Sequence, residues 1–123
     1  MPFVNADNIP KMELFPGAQS GIVAGEGIML SFLVMEQDSE VPEHSHPHEQ
    51  AGLLLEGKLQ FRIGDEEMLM APGDAFIVPP NMVHAGVVVE GPAKVLDIFN
   101  PPREDYQDKY NKYAQTSDQT VWE

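Results

Sequence analysis

All four histidines of this chain fall in two short segments, Pro42 to Gln50 and Pro79 to His84. Side chains two residues apart on an extended strand leave the same face, with origins about 7 Å apart. The imidazoles of His44 and His46 can therefore converge on one ion. Gln50 also stands at an even offset and brings its amide oxygen to that side if the turn at Pro47 keeps the register. His84 arrives from a strand distant in sequence. Three neutral nitrogens and one neutral oxygen make a ligand set for a single divalent ion, and the ligand types suit iron, manganese, nickel or zinc without choosing among them. With no anionic ligand the full charge of the dication stays in the pocket. There it polarises a carbonyl or hydroxyl oxygen, or lowers the pKa of a bound water. A His-x-His pair alone is as often a solvated strand edge as a metal site; Gln50 and His84 are what turn the balance. His48 shares the strand parity and is read as a rim residue, while Glu49, at odd parity, points to solvent.

A second feature is an acid inside an apolar strand, in the segment Val95 to Asp105. Burying a carboxylate without a partner is expensive, and Asp97 shares a face with Phe99. If that face is the barrel interior, an acid and an aromatic ring look toward the ion. Asp97 reads equally as a buried, hydrogen-bonded structural acid, and Arg103 as a surface residue at a helix start, paired with Glu104 or Asp105. The chain has only two arginines; the other, Arg62, lies on the polar side of its strand, facing solvent or an interface.

These residues need a scaffold that brings distant strands together. Eleven prolines and ten glycines punctuate short apolar runs, the pattern of an all-β sandwich or barrel. The expected strands are Gly27 to Glu36, Ala51 to Leu55, Lys58 to Ile63, Glu67 to Met70, Ala75 to Val78, Ala85 to Val89 and Ala93 to Phe99. Lys58 to Ile63 alternates polar and apolar, giving one wet and one buried face. Ile28 to Met35 is apolar on both faces, so something outside the barrel covers it, and a homodimer is expected. Gly57 and Gly64-Asp65 are read as tight hairpin turns, and Pro72-Gly73-Asp74 as the turn into the strand before His84. Pro101-Pro102 stops the last strand, and Arg103 to Ala114 reads as a short C-terminal helix with a stripe of Tyr106, Tyr110 and Tyr113. That stripe is expected to dock the helix on the outside of the barrel or on a partner subunit. The tail from Gln115 is expected to be loosely ordered, with Trp122 packed near the end.

At 123 residues the chain fits one domain, 1–123, with a barrel core over about 21–103 and the helix and tail over 103–123. No stretch approaches the ~20 apolar residues of a membrane-spanning helix and no signal pattern opens the chain, so a cytoplasmic protein is expected. The absence of cysteine removes disulfides, thiolate ligands and a cysteine nucleophile. A net charge of −13 disfavours nucleic acid and anionic membranes as partners. A small molecule is left as the expected partner.

The two histidine segments resemble the motifs of the cupin superfamily. His44, His46, Gln50 and Gly57 match the first; Gly73, Pro79 and His84 match the second, with Asn81 in place of a glycine. The resemblance implies a double-stranded β-helix, or jelly-roll, barrel holding a metal ion. Gln50 stands where glutamate is more usual, and Asn81 can take the left-handed conformation that a glycine would supply. Asp97, Phe99 and Arg103 resemble the closing strand of KdgF-type cupins of pectin and alginate breakdown, which open 4,5-unsaturated uronates to keto acids. That resemblance implies ring opening or isomerisation, with Asp97 shuttling a proton and Arg103 pairing with the sugar carboxylate. Two other readings fit the sequence: an iron or nickel dioxygenase resembling quercetinase-like cupins, and a noncatalytic barrel that binds a metabolite.

Overall fold

The computed structural model describes residues 3–117, with side chains as far as Tyr113. Eight strands are named here in chain order. They are β1 (Met12–Phe15), β2 (Ala18–Ala24), β3 (Met29–Met35), β4 (Glu40–His44), β5 (Glu49–Ile63), β6 (Glu66–Met70), β7 (Ala75–Val78) and β8 (His84–Asn100), followed by helix α1 (Glu104–Ser117). All pairings are antiparallel, in the order β1-β2-β3-β8-β5-β6, with β4 added to β8 and β7 to β5.

Two long strands carry the architecture. The first half of β5 pairs with β7 and with the end of β8; its second half pairs with β6 and with the start of β8. Each long strand thereby serves both walls of the barrel. The alternating sequence Lys58 to Ile63 keeps its expected faces, with Leu59 and Phe61 buried. β3 is likewise buried at every second residue, from Met29 through Ser31 and Leu33 to Met35, while Leu30, Phe32 and Val34 are half-buried on the outer face.

Several expectations are corrected. Gly57 does not make a hairpin: it lies inside β5 at φ 85°, where the register to β8 shifts, so the two expected strands are one strand with an irregularity. A Cβ there would lie 2.6 Å from the carbonyl oxygen of Pro92, so only glycine lets the two long strands approach at this point. The runs Ala85 to Val89 and Ala93 to Phe99 are also one strand, and the sheet begins at Met12, upstream of residue 21. The turns at Gly64-Asp65 and Pro72-Gly73 form as expected, and Asn81 takes φ 66°.

The helix starts at Glu104, places Glu104 and Asp105 in its first turn, where the helix dipole favours acids, and runs on to Ser117. Its tyrosine stripe docks it on the barrel as expected: Tyr110 is 1% exposed, packs with Met12, Ile22, Met29 and Phe99, and donates to the carbonyl of Pro10 at 2.6 Å. Trp122 lies outside the described residues.

Candidate metal centre and cavity

The four expected ligands come from three strands and a loop. His44 ends β4 and pairs directly with His84, the first residue of β8. His46 follows β4 in the connecting loop, and Gln50 lies one residue into β5, where it pairs with Phe99 of β8. The segment carrying His84 is tied to that loop by the amide of Asn81, which donates to the carbonyl of His46 at 2.7 Å. The left-handed turn at Asn81 thus sets the position of one ligand against another.

His44, His46 and His84 each bring one ring nitrogen into a group within 4.8 Å of one another, a cluster that could hold a metal ion. Hydrogen bonding fixes their tautomers. Nδ1 of His44 lies 2.7 Å from the carbonyl oxygen of Pro42, that of His46 3.1 Å from that of His48, and that of His84 2.9 Å from that of Met82. A carbonyl can only accept, so each Nδ1 carries the proton and each Nε2 turns a lone pair to the centre.

The surroundings fit a cation. Nε2 of His84 is buried without a hydrogen-bond partner among the described residues, an arrangement that costs about 1–3 kcal/mol unless something binds it. Gln50 donates through Nε2 to Oδ1 of Asp97 at 3.1 Å, so its Oε1 faces Nε2 of His46 at 3.0 Å. Two lone pairs that close repel unless a positive charge lies near both. Protonation does not answer the need. Burial holds His84 down to about 4, reinforced by the neighbouring histidines and Arg103, and burial with the Arg103 charge lowers His46 as well. Neutral imidazoles are what a metal requires.

Beside the cluster lies a cavity of about 280 Å³, with His44, Gln50, His84, Asp97, Phe99 and Arg103 on its wall. Asp97 and Phe99 do face the barrel interior, 6% and 2% exposed. Burial raises the Asp97 carboxyl to about 7, against the opposing pull of the Gln50 amide and the Arg103 charge. Arg103 is not a surface residue. Its guanidinium carbon stands 3.7 Å above the Tyr106 ring and 5.2 Å from the Phe99 ring, and its nitrogens reach the Asp105 carboxylate at 2.9 and 3.3 Å.

Tyr106 is a residue the sequence pattern hides. It belongs to the docking stripe, yet it also lines the cavity and carries Arg103, and burial pushes its hydroxyl up to about 12. His48, expected at the rim, is buried and clasps Oε1 of Glu104 at 3.0 Å, joining the ligand loop to the helix start. Glu49 is exposed as expected, and Arg62 pairs with Glu43 at 2.6 Å.

Comparison with known proteins agrees with this architecture. A family model described as a cupin domain matches residues 31–99. The pectin degradation protein KdgF of Dickeya dadantii (strain 3937) is 26% identical over 102 residues, covering 81% of this chain and 93% of that protein. The structure of KdgF from Halomonas sp. superposes with a TM-score of 0.79 at 28% identity, over 85% of this chain and 97% of that one. An RmlC-like cupin from Shewanella frigidimarina, at 23% identity, shares the fold with a TM-score of 0.81 over 86% of this chain and 96% of its own. Matched across its barrel by the family model and similar to KdgF over most of its length, the chain belongs to the cupin domain family and is related to KdgF.

Proposed function

We propose that this protein is a metal-dependent isomerase of a small keto or enol acid, and that opening of a 4,5-unsaturated uronate to its keto acid is the reaction to test first. The observation that carries the reading is Asp97: a buried carboxyl, raised to about 7, on a cavity wall shared with Arg103 and with His44 and His84 of the three-histidine cluster. A general acid–base group works best when its pKa lies near the working pH. KdgF proteins, among them one named for pectin degradation, are the relatives that suggest the uronate.

His44, His46, Gln50 and His84 would hold the ion, which is iron, manganese, nickel or zinc. Bound there, it would supply a Lewis acid for a carbonyl, hydroxyl or carboxylate oxygen of the substrate. The protein's own groups do the rest. The Gln50 amide holds Oδ1 of Asp97, which leaves Oδ2 to take a proton from one substrate atom and return it to another. An isomerisation balances with that transfer alone and consumes no oxidant or reductant. Arg103 uses two of its nitrogens on Asp105 and keeps further donors for a substrate carboxylate. Phe99 and Tyr106 hold the guanidinium in place, and with the apolar wall they exclude water.

The test is anaerobic incubation of metal-loaded protein with unsaturated galacturonate- and guluronate-derived monomers, following loss of the unsaturated absorbance. Asp97→Ala should lower the rate by about 10²-fold or more, the size of a general acid–base contribution. Oxygen uptake on an enediol, with no isomerisation of any enol acid, would refute the proposal in favour of a dioxygenase.

A further inference from the structure

The polar groups occupy only part of the cavity. The remaining wall is hydrocarbon, made by Leu14 and Phe15 of β1, Leu59 and Phe61 of β5, Phe76 of β7 and Val95 of β8. Along β5 and β8 the backbone does not relieve this, because both long strands are paired on both sides.

The aromatic part of the wall is built by two glycines. Gly52 pairs with Phe76 and Gly86 with Phe61, and both glycines stand at interior parity, between Gln50 and Leu54 and between His84 and Val88. A Cβ on Gly52 would overlap the Phe76 ring, and one on Gly86 would lie 2.8 Å from Cδ1 of Phe61. Neither position has room for a side chain while the ring lies where it does. The two rings sit 4.7 Å apart, tilted by 43°, within the range of favourable aromatic pairs. The sequence thus gives up two inward side chains, and two aromatic rings occupy that space on the cavity wall.

We infer that the cavity selects a keto or enol acid whose body is hydrocarbon, an alkyl- or aryl-substituted acid, over one clothed in hydroxyls. The inference rests on the proposed reading for the head group, which the histidine cluster, Asp97 and Arg103 would receive. It adds what the other end of the substrate must be, and it sets the uronate that the relatives suggest among the poorer ligands of this cavity. A hydroxyl set against Leu59, Phe61 or Phe76 leaves water and gains no hydrogen bond, so each one weakens binding. A phenyl or branched alkyl group in the same place loses only contact with water. At about 280 Å³ the cavity lies near the small end of ligand pockets, which suits one ring or a short chain with its head group.

The experiment is calorimetric titration of the full chain, loaded with zinc(II), with phenylpyruvate and with galacturonate. Phenylpyruvate should bind at least tenfold more tightly. Phe76→Ser and, at the half-buried position on β1, Leu14→Asn should each shrink that preference severalfold, weakening phenylpyruvate and leaving galacturonate equal or tighter; because Leu14 is half-buried, its variant keeps the test open should Phe76→Ser fail to fold. Equal or tighter binding of galacturonate overturns the inference and leaves the isomerase reading standing. So does a phenylpyruvate preference that neither variant changes. Binding of neither acid, together with no turnover of any enol acid, overturns both.

Discussion

Replacing Asp97 by asparagine should change how the stability of the metal-free protein depends on pH, by an amount the structure sets. In the folded chain burial raises this carboxyl from 3.8 to about 7. Between those values the folded protein holds a proton that the unfolded chain has released. The stability this contributes is fully present below pH 3.8 and is lost as pH rises through 7. One proton corresponds to about 1.4 kcal/mol per pH unit, so the loss over pH 4.5 to 6.5 is roughly 2 to 3 kcal/mol. His46 and His84, both lowered, act in the opposite sense: their contribution is present above 6.5 and falls away as pH drops, for His84 through about 4. These opposing slopes mask one another in the wild type. Asp97→Asn keeps the shape and still accepts from the Gln50 amide, but it has no proton to release. Urea unfolding of chelator-treated wild type and variant, at half-unit pH steps, gives two stability curves. The variant's stability minus the wild type's should rise by roughly 2 to 3 kcal/mol between pH 4.5 and 6.5, since the histidine contributions cancel in the difference. A difference flat with pH refutes the buried, proton-holding Asp97 on which the proposed chemistry depends.

Other perturbations read other links. Adding a divalent ion that the cluster accepts, at a hundred times its Kd, should stabilise the fold by about 2.7 kcal/mol and raise the Tm by on the order of 10 °C, and His84→Ala should abolish that shift in calorimetry. Asn81 stands at φ 66° and holds the carbonyl of His46; Asn81→Gly should leave Tm and metal affinity nearly unchanged, while Asn81→Ala should cost about 1 kcal/mol. On the outer face, Leu30, Ile98, Ala51 and Ile77 form one row across four strands, and Phe32, Leu96, Leu53 and Ala75 form the next. An apolar plate four strands wide is suited to a second copy of itself, so sedimentation should find a homodimer, and Phe32→Lys should give a monomer with its metal site intact.

Much of the site was legible because it follows from local rules. Parity along a strand places Asp97 and Phe99 on one face, and the structure turns that face inward. The His-x-His spacing, with Gln50 and His84, marks the cluster before any fold is known. Pro101-Pro102 ends the last strand, since proline lacks the amide a ladder needs, and acids open the helix that follows. Asn81 takes the left-handed turn because its short polar side chain tolerates what most side chains do not.

The remainder depends on neighbours far along the chain, and local rules do not reach them. Gly57 and Gly91-Pro92 look like breaks, yet β5 and β8 run through them, because pairing along both long strands outweighs one irregular residue. β1 and β2 went unforeseen: their short or polar stretches become strands because β2 pairs with the edge of β3 and β1 with the edge of β2. Arg103 leaves the surface only because Tyr106 and Phe99, on different elements, lie under it. Gly52 and Gly86 read as ordinary glycines until the register sets Phe76 and Phe61 against them. Spacing along the chain determines which residues share a face; only strand pairing determines which faces meet, and with them what kind of molecule the cavity can hold.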